Sequence, residues 1–388
     1  MWLAYAIALI PIVAGSVFFA ISNKVVWWEW LVASAVGLML AGIFHTVAIK
    51  SMTRDIETWS GRVTETVHYP QWTEEYEETH TRTVDDGEDS EGNRQSHTET
   101  YTTTEHRTHP EYWEKHLDFG RISRDESIPR DEFDDIARQF GGQVDTEKPH
   151  KSGFDGGDPN VYHVKNHTGV VIPVTTLQTW ENRVKAAPSC FSYPKVPESA
   201  KVFSWPQNPD TRVSERVMGI ARNRFSTLKW DQMNSRLGPS SRVNLIVVGF
   251  DSDDSGLGQT QEAKWVGGKK NDLVLCYGCS GRSSKATWTY VFGWTEREEV
   301  KKSLQTMLLT SDLNDDLLPR IEAEVAKDYR LKDWSKFDYI RVEPPTWAYL
   351  ALLGVMIVVQ AGVWTWAFLN DAEKFRDRFS WKRRGNLY

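Results

Sequence analysis

Cysteine is scarce, and three residues in a chain of 388 exclude a disulfide-built scaffold. A surplus of basic charge is missing as well. Against 53 Asp and Glu stand 46 Lys and Arg, a net of −7, which argues against nucleic acid as a partner. No Walker loop, nucleophile elbow or HExxH occurs, so short motifs supply no catalytic signature. A mean hydropathy of −0.49 is too low for a polytopic transporter with its bulk in the bilayer. Aromatics, by contrast, are plentiful: 12% of the chain, with 18 Trp, excludes wholesale disorder.

The apolar runs collect at the two ends. Trp2–Ile21, Leu31–Ile49 and Trp347–Leu369 each reach the roughly 20 residues needed to cross about 30 Å of hydrocarbon. Trp2, Trp27, Trp28, Trp30, Trp347, Trp364 and Trp366 sit at their ends, where amphipathic rings meet the membrane interface. Three transmembrane helices are predicted, with the lipid bilayer as partner. A cleaved signal is disfavoured for the first, which has no basic leader and a second span close behind. Residues 1–50 form a helical hairpin, 346–369 the last span and 370–388 a basic tail. That tail holds Lys374, Arg376, Arg378, Lys382, Arg383 and Arg384, which favour the cytoplasmic, anionic leaflet. Residues 51–345, with 38 basic and 49 acidic side chains, are therefore expected on the extracytoplasmic side of a bacterial inner membrane.

Between Glu65 and Thr108 the chain turns Thr-, Glu- and His-rich, and its only aliphatics are Val67 and Val84. Two Thr-rich arms flank a turn-forming centre at Asp85–Asn93, which predicts a long β-hairpin projecting from the body within 51–125. Six His lie in or beside it: His68, His80, His97, His106, His109 and His116. His106 and His109 are near enough in sequence to share a metal, yet would face opposite sides of a strand. A solvated polar ribbon is the plainer reading.

Residues 126–225 read as a mixed linker region: a helix at Ile128–Phe140 ended by Gly141–Gly142, a Gly/Asp loop at Ser152–Asn160, a strand at Val170–Val174 and a helix at Thr176–Ala186. Asn166-His167-Thr168 matches the glycosylation sequon, a tripeptide common by chance. From 226 to 345 the pattern is crisper. A helix at Ser226–Leu237 stops at Gly238-Pro239, followed by strands at Val243–Phe250, Asp272–Tyr277 and Ala286–Trp294, with a short helix near Gln259–Val266. Thr295 and Glu298 suggest a capping box for a helix with Val300, Leu304, Met307 and Leu308 on one face. Ser311 would cap another with Leu313, Leu317, Ile321 and Val325 as its stripe. The fold class is α/β or α+β, with a largely buried sheet.

Two groups there invite chemistry. Asp251, Asp253, Ser255 and Glu262 fit calcium-loop positions 1, 3, 5 and 12, with Gly256 at the sharp turn, although a strand and not a helix precedes them. Calcium is thus the candidate cofactor, against a solvated acidic loop. Cys276-Tyr-Gly-Cys279 is a CxxC, but it follows a strand and opens no helix that would activate its first thiol. A local disulfide or two idle thiols is the expectation.

The run from Val243 through Gly267–Asp272 to Trp294, with the later helix at Leu313–Val325, resembles the TPM domain, a membrane-anchored α/β module of exported regions. The whole order, with "DIETWSGRVT" at Asp55–Thr64 between helical hairpin and arm, resembles an uncharacterised family of tailed-phage membrane proteins. In that family the arm is Cys-rich, whereas here it carries Thr, His and Glu. The first resemblance implies an assembly or interaction module, and has been linked to phosphatase activity. The expectation is a non-enzymatic membrane protein that binds another membrane or envelope protein, or itself. The alternative is a membrane-anchored, metal-assisted hydrolase at Asp251–Glu262.

Overall fold

The computed structural model describes residues 2–22, 27–88, 94–147, 160–187, 192–206, 215–280 and 283–384. Lys24, Cys190, most of the expected turn at Asp85–Asn93 and all but the end of the Ser152–Asn160 loop lie outside them, as do the side chains of the basic tail. The chain divides into two units. One comprises Met1–Glu57, Thr179–Pro194 and Asp333–Tyr388, the other Thr58–Gln178 and Lys195–Lys332.

The first unit is built on three helices, α1 (Trp2–Ser22), α2 (Trp27–Thr53) and the C-terminal Thr346–Arg384. Two stretches are long and apolar enough to cross a membrane, Leu31–Thr53 and Thr346–Trp366, while the described apolar stretch Ala4–Val17 of α1 is shorter. Ala33, Gly37 and Ala41 are spaced four apart on one face of α2, and all are buried. Small residues at that spacing let helix backbones approach closely. Ile12, Met356 and Gln360 pack onto Gly37, and the Gln360 amide, only 2% exposed, donates to the Ala33 carbonyl at 2.8 Å. The outward side chains are aliphatic: Leu38, Met39, Ile43 and Val47 on α2, Leu350, Val355 and Val358 on the last helix. Aliphatic surface turned outward in this way is unusual in a water-soluble bundle and compatible with a lipid surrounding.

The second unit holds three sheets. In chain order the strands are β1 (Arg54–Tyr69), β2 (Trp72–Glu88), β3 (Arg94–His109), β4 (Tyr112–Asp118), β5 (Ser123–Ile128), β6 (Asp145–Glu147), β7 (Val161–Lys165) and β8 (Pro173–Glu181), then β9 (Val217–Gly219), β10 (Asn244–Phe250), β11 (Asp272–Gly278) and β12 (Trp288–Gly293). The first sheet runs β5-β4-β1-β7-β6, with β8 also on β1. Val63, Leu117, Ile128 and Val164 on its inner face pack with Ile136 and Phe140 at helix α3 (Arg130–Gln139). The second runs β12-β11-β10-β9; β9, β10 and β11 are parallel and β12 antiparallel. Every residue of β10 and β11 is buried, since both faces are covered. Leu245, Val247, Leu273 and Leu275 meet helices α4 (Thr227–Ser241), α6 (Glu299–Thr310) and α7 (Leu318–Asp328). Ile246, Val248, Val274 and Cys276 face the opposite layer, with Trp265 just after α5 (Gly256–Lys264) and the Val202–Trp205 segment. The C-terminal helix is α8.

Several local expectations change. Thr176–Glu181 is the strand β8 and not a helix: Val174, Thr175 and Thr176 are buried in a β-branched run that pairs with β1. The hairpin begins at Trp72, because Glu65–Tyr69 belongs to β1 in the larger sheet. Helix α4 continues through Gly238-Pro239 to a left-handed Arg242; Gly238 marks a close approach to Ser60, where a Cβ would collide with backbone, and not a stop. Thr295 does not cap α6, which starts at Glu299; its hydroxyl donates instead to the Arg330 carbonyl at 3.0 Å. Ser311 closes α6, and Asn314 caps the turn before α7.

Candidate functional site

Open α/β sheets bind ligands beyond the carboxyl ends of their parallel strands. Here those ends are Gly219, Phe250 and Gly278. The loop after β10 holds Asp251, Asp253 and Ser255, all exposed. Asp254 turns inward on its own loop, accepting from the Gly256 amide at 2.9 Å. Helix α5 then begins at Gly256, six residues into the calcium spacing, and carries Glu262 away from the loop. The Glu262 carboxylate accepts a hydrogen bond from the Tyr290 hydroxyl on β12. The structure therefore does not bring these four residues to one point.

Cys276 and Cys279 are free, buried thiols. Burial, with Glu262 nearby, pushes the Cys276 thiol far above its ordinary value. Burial also raises Cys279, aided by Asp251 and Asp253 and opposed by Arg224. Both stay protonated at neutral pH, so neither is an activated nucleophile. Between α4 and α7 lies an open cleft of about 370 Å³, and its charges pair with one another: Lys229 with Asp315 at 2.9 Å and Arg236 with Glu322 at 2.7 Å. It presents no acid and base converging on a free space.

No family model, curated protein or solved structure matches this chain. The candidate sites differ in their local geometry.

That geometry favours the hairpin. Strands β2 and β3 pair from Trp72↔His109 to Glu88↔Arg94, and 17 residues on β2 give a ribbon roughly 55 Å long at about 3.3 Å per residue. Among its described side chains none is buried. One face is a Thr ladder, with Thr73↔Thr108, Thr79↔Thr102, Thr81↔Thr100 and Thr83↔Thr98 as direct cross-strand pairs. The other carries Trp72, Tyr76, Glu78, His80, Arg82 and Val84 opposite His109, Glu105, Thr103, Tyr101, Glu99 and His97.

The ribbon prolongs the β1–β4 pair across a break. Tyr69↔Tyr112 is the last rung below it and Trp72↔His109 the first above. Pro70 and Pro110 lie between, one on each strand, and neither can donate to a ladder. Stacked rings clamp both sides, Tyr69 on Tyr112 at 4.4 Å and Trp72 on His109 at 4.3 Å. Sequence reasoning missed this joint, although two prolines placed about a common turn are its signal.

The six histidines divide between body and ribbon. His68 stacks between Trp113 and Tyr162, and His116 lies 2.6 Å from Glu65, which also approaches His163. His106 and His109 take opposite faces, as a strand demands. His97 meets Asp86 at 2.6 Å and Glu99 at 3.3 Å. These two hydrogen bonds, Asp86 first, favour the imidazolium and raise the His97 pKa. The folded value exceeds the unfolded one, so the contact supports the ribbon below the ordinary histidine pKa and is lost as pH rises through the raised one. In an NMR titration His97 should protonate at higher pH than a free histidine, and Asp86→Asn should remove most of that difference. An unshifted midpoint in the parent would contradict the assignment.

Proposed function

We propose that this is a non-enzymatic membrane protein, anchored by α1, α2 and α8, that uses its hairpin to bind another membrane or envelope protein or a second copy of itself. The observation that carries this reading is the ribbon: both faces are open to solvent, and the cores of the body are complete without it. A two-stranded ribbon with no packed face is marginal alone, and each of its outer edges is a strand edge to which a further strand can add. In this proposal the body faces away from the cytoplasm of a bacterial host and the basic tail faces inward. The order of strands and helices after residue 226 supports a TPM-like interaction module, and the phage resemblance belongs to the same reading. A hydrolase centred on Asp251–Glu262 has less support, because Glu262 is engaged by Tyr290 and its neighbours do not converge.

Replacing Thr73–Thr104 in the full-length protein by a short Gly-Ser turn should leave its melting temperature within a few degrees of the parent. The same change should abolish co-purification with partner chains, a second copy included. If the deletion instead collapses the fold, the ribbon is core structure and the binding reading fails.

A further inference from the structure

We propose that the hairpin carries a binding site for a divalent transition-metal ion, formed by Glu78, His80 and Glu105. Glu78 and His80 are two apart on β2 and therefore share a face. Glu105 stands on β3 opposite Tyr76, diagonal to Glu78 on that same face. One ligand atom from each of the three lies within 4.8 Å of the others. His80 Nε2 is 3.8 Å from Glu78 Oε2. The Thr103 hydroxyl fills the space between, 2.9 Å from Nε2 and 3.4 Å from Glu105 Oε1. Among the described residues this is the single group of three His, Cys or carboxylate side chains that converges in this way.

Charge points the same way. Neither Glu78 nor Glu105 forms an ion pair with Lys or Arg among the described residues, so two carboxylates converge on one imidazole without a fixed cation. The neighbouring group is different: Glu99 beside His97 is already held by Arg82 at 2.9 Å. Around Glu65, His116 and His163 approach different oxygens, and each turns its other nitrogen to a different carboxylate, Asp125 and Glu147.

The donor set selects the ion class. One imidazole nitrogen with two carboxylate oxygens suits Zn²⁺ or Co²⁺, whereas calcium takes six to eight oxygens that this face does not offer. The ligand must be the unprotonated Nε2, which places the imidazole proton on Nδ1. On binding, the Thr103 hydroxyl exchanges its contact with Nε2 for the one with Glu105. Three protein ligands leave at least one coordination position open on an exposed ribbon. Metal uptake at this site does not depend on the proposed partner.

The test uses the full-length protein in detergent. Equilibrium dialysis with Zn²⁺ should give one ion per chain that His80→Gln does not take up. Co²⁺ should develop visible d–d absorption that Zn²⁺ displaces. Glu78→Gln and Glu105→Gln should each weaken uptake about tenfold or more, and His106→Gln should leave it unchanged. The two glutamates are exposed and His80 is half-buried on a ribbon with no packed face, so far-UV circular dichroism should be the same in all variants. No stoichiometric uptake by the parent, or uptake equal in parent and His80→Gln, overturns the proposal.

Discussion

Arg216→Met should destabilise the α/β unit by about 3–5 kcal/mol, the usual cost of stripping one partner from a buried ion pair. In a unit of this size that corresponds to a fall in melting temperature on the order of 10 °C. Arg216 is fully buried. Its guanidinium donates to Asn244 at 2.7 Å, Asp231 at 2.9 Å and Ser60 at 2.6 Å, tying the start of β9 to β10, α4 and β1. Asn244 passes the connection to Asp272 at 2.8 Å, which also accepts from Trp205 and the Lys269 amide. Methionine fills much of the volume but leaves Asp231 without its cation, and the second oxygen of Asp231 already has no hydrogen-bond partner. Burial outweighs the pull of Arg216 even in the parent and holds the Asp231 carboxyl up to about 6. The folded pKa therefore exceeds the unfolded one, so the folded state takes up the proton first and stability rises as pH falls from about 6 toward about 4. The variant should show a steeper form of the same dependence. Arg216→Met with Asp231→Leu should recover most of the loss, since replacing both members removes the stranded charge. Urea unfolding at pH 7 and pH 5 measures both, and a single variant as stable as the parent at pH 7 would refute the account.

Gly37→Leu should loosen the helices of the first unit by about 1–3 kcal/mol, the range for overpacking a filled interior. Even a methyl at this position would lie 2.9 Å from Gln360 Nε2 and from Ile12 Cδ1, and 3.1 Å from Met356 Cε. Those are the ends of flexible side chains, so Gly37→Ala should be mild. A leucine has no such escape, because α1 and α8 both press on this point. Displacing Gln360 would also cost its bond to the Ala33 carbonyl, whose loss is expensive where no water can substitute. Thermal unfolding in detergent, followed by proteolysis of the α1–α2 region, should rank the parent, Gly37→Ala and Gly37→Leu in that order. Equal behaviour of the alanine and leucine variants would show that the helices do not pack here.

How far the chain could be read depended on whether the relevant contacts are local. The strands β10 and β11 were legible because burial on both faces writes an unbroken apolar run. The burial of Leu313, Leu317, Ile321 and Val325 was legible from their spacing, but the single helix it implied was not formed. Leu313 precedes the turn capped by Asn314, Leu317 ends that turn, and only Ile321 and Val325 lie on α7. The hairpin was visible in its Thr content, but its base was misplaced: Pro70 marks the break, yet only its position across the ladder from Pro110 shows that Glu65–Tyr69 belongs to another sheet. Strand β8 was hidden because Thr176–Glu181 owes its state to pairing with β1, far away in sequence. The same limit governs the sites. The Asp251 spacing was present in the sequence, yet the early start of α5 withdrew Glu262 from it. His80 drew no special notice beside His106 and His109, since its approach to Glu105 exists only in the register of β2 against β3. Arg216 carried no signal, because a buried arginine looks like any other until its partners arrive from three other elements.

The paired prolines at the foot of the hairpin separate two kinds of evolutionary constraint. Below Tyr69 and Tyr112, a substitution is answerable to packed cores and to the network around Arg216. Above Trp72 and His109 it meets only solvent and whatever the ribbon touches. Most point changes on exposed positions shift stability by less than about 0.5 kcal/mol. Side chains on the ribbon can therefore change one at a time with little effect on the fold that carries it. A chain organised in this way can alter the chemistry of its longest exposed element while the packed body beneath it stays the same.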